Sequence, residues 1–466
     1  MLVLISDVHL TDESTAVNVD PSAFRLLQRE ISLSAAQRDA REIHLVLLGD
    51  VYDLVRTGYW HSRNVPPEDR PWGGTLSPET GMNSRAGVVE QQFGEILERT
   101  MATAGGKAFA SMLANLPRIG DKAPKVTYVV GNHDRALNNF ASLRARLERG
   151  LPGVRLEFAT QLSQPDYGVL ARHGHEWDDN CHGWRFLANV LQKGKSVGRF
   201  DPEAYQVMAF GEVVTAELMG GFVHHVAQAL DRGDADDAKF LENLMDVNNL
   251  RPMTEALSWV RWFAKGRSAR YVGIARDALL RALDGLLDCS LARKWDELKP
   301  DLVISGDMTD YMDKARRALK RSPDLVELGD LVSFVSKAAA TYHRVLGAGL
   351  DDMAKGAKQE FENGLAQEIQ YVVYGHTHDA LHDCFSAEPD GRVRMYLNTG
   401  TYLPLVERAL DGEGFERSHR MMLLFFYRED EDVADRADRG PTVDFWDGMR
   451  RKAFRSPVPG RSRVGR

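Results

Sequence analysis

Short aliphatic runs, each followed directly by a turn that contains aspartate or glycine, recur along the first part of the chain. They lie at residues 2–5, 43–48 and 125–130. Continuous apolar runs of this length, closed by turn residues, are typical of buried strands. Between them, residues 21–40 and 86–116 carry apolar side chains at the three- and four-residue spacing of helices. This alternation predicts an α/β layered fold whose turns gather at one edge of a sheet, where ligands of such folds bind.

The pattern divides the chain into four parts. Helical spacing dominates residues 183–365 and strand-like runs are almost absent there, so we expect a mostly helical insertion. Strand-like runs precede this segment at 154–158 and 168–172 and return after it at 371–374, 381–385, 393–397 and 421–427. The predicted organisation is a core formed by residues 1–182 and 366–430, the insertion at 183–365, and a charged C-terminal tail at 431–466.

Composition and charge are those of a soluble globular chain. Of the 466 residues, 43% are hydrophobic and 27% are charged, which excludes a wholly disordered or collagen-like protein. The net charge of −8 argues against a general attraction for nucleic acid, although a local basic groove stays open. The cysteines Cys181, Cys289 and Cys384 are odd in number and too widely spaced for a disulfide framework.

The first residues indicate where the protein resides. The apolar run at 2–5 follows no basic segment and reaches Asp7 at once, so it fits neither a signal peptide nor a membrane span. No other stretch offers the roughly 18 uncharged apolar residues that a spanning helix needs. We therefore expect a cytoplasmic protein without a transmembrane segment.

Five of the predicted strand ends carry side chains that bind metal ions. Each motif alone is a weak signal, but the strand ends of an α/β sheet converge on one edge and would gather these side chains. Imidazole and carboxylate ligands without thiolate suit Mn²⁺, Fe²⁺, Zn²⁺, Co²⁺ or Ni²⁺. In chain order the motifs are Asp7-x-His9, Gly49-Asp50 with Asp53, Gly131-Asn132-His133-Asp134, His173-Gly174-His175 and Gly375-His376-x-His378.

These ligands are numerous enough for two metal ions. A bridging carboxylate would hold the ions about 3.5–4 Å apart, as in two-metal phosphoryl-transfer sites. In such sites a metal-bound water loses a proton near neutral pH and attacks phosphorus in line, while both ions offset charge on the phosphoryl oxygens. The residues therefore predict a hydrolytic reaction.

The order D-x-H, G-D-x-x-D, G-N-H-D, H, G-H-x-H resembles that of the calcineurin-like metallophosphoesterase superfamily, over residues 1–180 and 365–430. The resemblance implies two packed mixed β-sheets flanked by helices. It also implies that His133 donates to the phosphate or protonates the leaving group, while Asp134 orients its ring. The metal ligands that it implies are Asp7, His9 and His378 for one ion, Asn132, His173 and His376 for the other, and Asp50 as the bridge.

Two residues near these motifs each have two interpretations. Asp53 either stabilises its turn or orients a ligand side chain. His175 either contacts substrate or metal, or only shapes the loop that presents His173. A turn at Asn398–Thr401 follows a predicted strand and is expected to support the loop that carries His376.

Two further segments enter the functional argument. The loop at 55–84 is too long for a simple connection, so His61 and Arg63 within it are candidate substrate contacts. A second G-D-x-x-D motif, Gly306–Asp310, comes after the G-N-H-D motif. We interpret it as structural, because Asp50 already occupies the expected place in the order.

The sequence thus predicts a phosphoesterase with two divalent metal ions, Mn²⁺ foremost. It would hydrolyse a phosphomonoester, phosphodiester or pyrophosphate bond in a small-molecule or lipid-linked substrate. The insertion would emerge at the metal edge of the sheet, where it is placed to act as a lid. Two alternatives stay open: a DNA or RNA nuclease of the same superfamily, which the net charge disfavours, and a non-catalytic scaffold, which the intact ligand set disfavours. Oligomeric state is left undetermined.

Overall fold

Two mixed β-sheets form the centre of the protein. The computed structural model describes residues 1–231, 233–251, 259, 262, 269–298, 308–321, 350–389, 391–410, 414–432 and 440–450. The strands in these ranges are β1 Leu2–Ile5, β2 His44–Leu48, β3 Lys125–Val129, β4 Leu156–Ala159, β5 Leu162–Gln164, β6 Val169–Ala171, β7 Leu250–Arg251, β8 Tyr371–Tyr374, β9 Ala380–Ala387, β10 Val393–Thr399, β11 Pro404–Arg408, β12 Phe415–Tyr427 and β13 Thr442–Arg450.

Helices connect and cover the strands. Several are short single turns, and two of the irregular segments, Leu187–Leu191 and Val214–Gly220, are π-helical. The α-helices in the described ranges are α1 Ser22–Gln37, α2 Ala86–Ala102, α3 Ala104–Ala114, α4 Ala136–Asn139, α5 Ala141–Gly150, α6 Trp184–Phe186, α7 Phe210–Val213, α8 Gly221–Ala229, α9 Ala235–Leu244, α10 Ala269–Asp288, α11 Ser290–Trp295, α12 Met308–Arg321 and α13 Leu350–Glu362.

The strand order places the predicted motifs at one edge. In the larger sheet the order is β4-β3-β2-β1-β12-β11-β7, with β13 also paired to β12, and β1 to β4 run parallel. The smaller sheet has the order β5-β6-β8-β10-β9, in which β6, β8 and β10 are parallel. The carboxyl ends of β1, β2 and β3 are therefore neighbours in one sheet, and those of β6 and β8 are neighbours in the other.

The two sheets pack face to face between outer helical layers. Leu2 and Leu4 of β1 contact residues of the smaller sheet such as Val373, in a buried layer between the sheets. The alternate residues Val3 and Ile5 face the opposite way, into a core that α1 helps to form. On the outer face of the smaller sheet, side chains of β8 and β10 pack against α13. The architecture is therefore helix, sheet, sheet, helix, which agrees with the expected α/β class with two mixed sheets.

The described part of the predicted insertion, which we call the cap (residues 183–365 within the described ranges), is built into the core. Its strand β7 pairs with β11 in the larger sheet. Some of its apolar side chains join the same hydrophobic core as β1 and β2. Three arginines outside the cap pair with glutamates of the cap, and all six side chains are at most 11% exposed: Arg70 with Glu217, Arg135 with Glu212, and Arg172 with Glu360. A freely moving lid would have to break these buried pairs.

The region after residue 430 differs from the expected charged tail. Thr442–Arg450 forms β13, which pairs with β12 in antiparallel register. Val443 packs into the layer between the sheets and Trp446 packs against the opposite face, so the segment alternates as a strand does. Its interspersed charges hid this pattern from sequence reasoning. Residues 451–466 lie outside the described ranges, as do Gly306 and Asp307 of the second G-D-x-x-D motif.

Candidate metal centre

A first cluster of potential metal ligands joins the ends of β1 and β8. Asp7, His9 and His378 are buried, and their donor atoms lie within 4.8 Å of one another. The Nε2 atoms of His9 and His378 are 3.0 Å apart, and Asp7 Oδ1 is 3.6 Å from the first and 3.4 Å from the second. Two nitrogen ligands at right angles around one ion, each with a bond of about 2.1 Å, would be about 3.0 Å apart. Asp7 Oδ1 is buried without a hydrogen-bond partner, so a cation would satisfy it.

A second cluster joins the ends of β2, β3, β6 and β8. Asp50, His173 and His376 offer donor atoms within 4.8 Å of one another. His173 Nε2 lies 3.2 Å from Asp50 Oδ2 and 3.2 Å from Asn132 Oδ1. Asp50 Oδ2 is also 3.8 Å from His9 Nε2 in the first cluster. One carboxylate oxygen therefore adjoins both clusters, and the structure brings together all seven ligands that the resemblance implied.

The backbone is strained at most of these positions. Non-glycine residues seldom adopt positive φ, and such conformations cost about 1–3 kcal/mol each unless the surrounding structure fixes them. Strain of this kind gathers at ligand sites because it turns side chains into places that regular backbone does not reach. The ligand residues with positive φ are Asp7 (50°), His9 (48°), Asp50 (54°), His376 (69°) and His378 (65°).

At the acidic side chains, burial and the charge of neighbouring groups shift the pKa in opposite directions. Burial disfavours the ionised forms of Asp7 and Asp50, but the neighbouring imidazoles outweigh it and hold the pKa of each carboxyl below its usual range. At His173 burial disfavours the protonated form, yet the Asp50 carboxylate outweighs it and raises the pKa to about 10. The clusters thus attract positive charge strongly, and buried groups of this composition can hold a metal ion.

Asp53 holds the ring of His133. Its Oδ2 lies 2.9 Å from His133 Nδ1 and 2.9 Å from His9 Nδ1, so one carboxylate orients both rings. Its Oδ1 accepts hydrogen bonds from two backbone N–H groups of its own turn. Asp53 therefore both stabilises its turn and orients a ligand side chain. Its carboxylate links His9 of the first cluster to the imidazole of His133.

Asp134 has a different role from the one expected. Its carboxylate does not orient His133 but fastens the turn after β3, and burial together with the charge of Asp50 raises its pKa to about 7. The family resemblance implied that Asp134 orients the ring, whereas Asp53 approaches the ring from another strand end. The donors to Asp134 are the backbone N–H groups of Val51 (2.9 Å) and Gly131 (2.6 Å) and the hydroxyl of Tyr128 (2.6 Å).

Asp53→Asn should lower metal affinity by about 10–100-fold, because an amide holds two imidazole N–H groups less firmly than a carboxylate. Metal titration of the purified variant would measure the change. Asp134→Asn is the contrast: we expect reduced thermal stability, since Asp134 fastens a turn. Equal losses of metal affinity in the two variants would contradict the role given to Asp53.

Gly49 is required by the position of His173. Gly49 has a φ of 85°, and a Cβ atom there would lie 2.3 Å from His173 Nδ1. Gly49→Ala should therefore displace His173 and empty the second cluster, which metal analysis would detect as a loss of one ion per chain. Gly153→Ala is the matched control, because Gly153 has a φ of 81° and a Cβ atom there would meet no heavy atom within 4 Å. Equal metal content in both variants would contradict the requirement for glycine at position 49.

The three candidate substrate contacts fall in different places. His175 is buried beside the second cluster, with its ring centroid 5.3 Å from that of His173 and 6.4 Å from that of His376. His61 instead belongs to the contact with the cap, where its Nε2 is 3.0 Å from the carbonyl oxygen of Ala216. Arg63 is exposed on the same loop. The loop at 55–84 is thus largely packing structure, and its Trp60 and Trp72 are fully buried.

Sequence reasoning overlooked two side chains next to His376. Asp178 Oδ2 lies 3.3 Å from His376 Nε2, and Cys181 offers its thiol to the same group. The signal was present in the chain, where residue types that bind metals occur at positions 173, 175, 178, 181 and 182. The turn at Asn398–Thr401 supports the His376 loop as expected, with Asn398 Nδ2 donating to the carbonyl oxygen of Gly375 at 2.7 Å.

No protein-family model matches the chain, and no curated protein matches it. Within the described ranges, no helix combines the length and apolar character needed to cross a membrane. The functional argument therefore rests on the geometry of the buried His and Asp clusters, which could hold a metal ion.

Proposed function

We propose that the chain is a metal-dependent phosphoesterase that hydrolyses a phosphomonoester, phosphodiester or pyrophosphate bond in a small-molecule or lipid-linked substrate. One observation carries the proposal: two ligand clusters adjoin a single oxygen of Asp50, and an imidazole oriented by a carboxylate stands beside them. Shared carboxylates are characteristic of paired-metal hydrolytic sites.

The residues suit two divalent ions, with Mn²⁺ foremost and Fe, Zn, Co or Ni as alternatives. When bound, such ions supply an activated water and offset charge on the phosphoryl oxygens. Asp7, His9 and His378 would hold one ion, and Asn132, His173 and His376 the other. Asp50 Oδ1 accepts a hydrogen bond from the backbone N–H of His133 at 2.8 Å, which fixes the carboxylate and leaves Oδ2 for the ions.

His133 would supply a proton to the leaving group. Asp53 engages its Nδ1, so proton exchange with a substrate falls to Nε2. The His133 side chain is 10% exposed, whereas the Asp53 side chain is fully buried. This arrangement suits a general acid, since the buried carboxylate orients the ring and Nε2 would meet the substrate.

Hydrolysis of model substrates tests the proposal. The chelated protein and the protein with Mn²⁺ restored would each be offered bis-p-nitrophenyl phosphate, p-nitrophenyl phosphate and pyrophosphate. We expect turnover only with metal, and the ratio of rates would rank diesterase, monoesterase and pyrophosphatase activity. Turnover that chelation leaves unchanged, or a protein that binds two ions and hydrolyses none of the three, would contradict it.

A further inference from the structure

We propose that Asp178, Cys181 and His376 form a further cation site beside the two clusters, distinct from them because it includes a thiol. Their three donor atoms lie within 4.8 Å of one another. Asp178 Oδ2 is 3.3 Å from His376 Nε2, and Cys181 supplies the thiol of the group. The site goes beyond the proposed function, because it does not depend on which reaction the other two clusters perform.

The separation of the donors fits a tetrahedral ion. A nitrogen and an oxygen ligand, each about 2.0–2.1 Å from the ion, are about 3.3 Å apart when the angle between the bonds is tetrahedral. Thiolate, imidazole and carboxylate together suit Zn²⁺, Fe²⁺ or Co²⁺ better than Mn²⁺, which prefers oxygen ligands. The site would therefore select a softer ion than the two clusters that lack a thiol.

The loop that carries Asp178 and Cys181 has a defined shape. The backbone carbonyl of Asp178 accepts hydrogen bonds from the N–H groups of Cys181 and His182, each at 3.0 Å. Asp178 Oδ1 accepts from the N–H of Asn180 at 2.9 Å, which leaves Oδ2 to face His376. The carboxylate is thus fixed on one side by its own turn and directed on the other toward the imidazole.

The cap leaves room for the thiol at this loop. Gly211, at the start of α7, donates its N–H to the carbonyl oxygen of Asn180 at 2.8 Å. A Cβ atom on Gly211 would lie 2.7 Å from Cys181 Sγ, so only glycine allows the thiol this position. The Asp178 and His376 side chains are each 11% exposed, which gives an ion a path of entry.

His376 would be shared between this site and the second cluster as an imidazolate, which releases its ring proton to solvent when both nitrogens bind ions. Its Nε2 faces Asp178, so Nδ1 is the ring nitrogen left for the cluster with Asp50 and His173. The competing explanation is that Asp178 only accepts a hydrogen bond from His376 and so orients a ligand, as carboxylates commonly do. In that case Cys181 would have no part in binding a cation.

Cobalt binding separates the two explanations. In the full-length variant Cys289→Ser/Cys384→Ser, Cys181 is the one remaining cysteine, so a near-ultraviolet thiolate-to-cobalt charge-transfer band can arise from Cys181 alone. After chelation and reconstitution with Co²⁺, we expect this band and one more ion per chain than in the triple variant that also carries Cys181→Ser. Circular dichroism would confirm that both proteins fold.

Two results would overturn the site. One is the absence of a thiolate band in the variant that retains Cys181, which needs no substitution at the site itself. The other is equal cobalt content with and without Cys181. Neither measurement uses phosphoester hydrolysis, so the cation site and the proposed function are tested independently.

Discussion

Asp50→Ala is expected to remove the metal ions and the hydrolysis together. Asp50 Oδ2 is 3.2 Å from His173 Nε2 and 3.8 Å from His9 Nε2, so the same oxygen serves both clusters. Without it, each cluster loses a negative ligand and the electrostatic attraction that offsets the burial of a cation. After reconstitution with Mn²⁺, we expect the manganese content, measured by elemental analysis, to fall below one ion per chain, and turnover of a p-nitrophenyl ester to fall by about 10⁴-fold.

His133→Ala is the matched control, because His133 hydrogen-bonds Asp50 through its backbone N–H. The substitution keeps that N–H and removes only the imidazole, so both ions should stay while turnover falls by about 10²–10⁴-fold, the usual contribution of a general acid. Loss of the ions from His133→Ala would show that the imidazole is a ligand and not an acid. Retention of both ions in Asp50→Ala would refute the shared carboxylate.

The fold was predictable where continuous aliphatic runs mark buried strands. Residues 2–5, 43–48 and 125–130 coincide closely with β1 to β3, because parallel strands covered on both faces need apolar side chains at nearly every position. Strands with mixed polar and apolar residues lack this signal, and β11 and β13 were not anticipated. Their mixed polar and apolar residues become informative only when the neighbouring strand β12 is known.

The candidate site was predictable in its ligands but not in the contacts between them. The motifs identified Asp7 and Asp50 at neighbouring strand ends of the larger sheet, and His376 at a strand end of the smaller sheet. The sequence could not show that Asp53 rather than Asp134 holds His133, because that depends on the direction in which each turn points its side chain. Residues adjacent in sequence can face opposite sides of a turn, whereas residues 80 apart can share a hydrogen bond.

The cap was also only partly predictable from the sequence. Helical spacing marked 183–365 as an insertion, and its place at the metal edge suggested a lid. What the spacing could not show is that acidic residues at 212, 217 and 360 lie buried against arginines outside the cap. Arg135 follows His133 and Asp134 directly in the chain, so its partner in the cap also bears on the geometry of the candidate site.

Glu212→Gln should lower the free energy of unfolding by about 3–5 kcal/mol, because it leaves the Arg135 guanidinium buried without a counter-charge. The two side chains are 3% and 1% exposed, and Arg135 Nε is 3.0 Å from Glu212 Oε1. Urea denaturation followed by circular dichroism would measure the change. Since the pair anchors the cap beside His133, we also expect turnover to fall while the metal ions stay.

Glu98→Gln provides the control for charge removal alone. Glu98 pairs with Arg146 at 2.7 Å, but their side chains are 58% and 33% exposed, so solvent screens the interaction and the loss should stay below about 1 kcal/mol. If the cap opened freely, water would reach Arg135, and the loss of stability in Glu212→Gln would be as small as in Glu98→Gln. Equal stability of Glu212→Gln and Glu98→Gln would therefore indicate a moving lid, whereas a large difference between them requires a cap that stays closed in the folded protein.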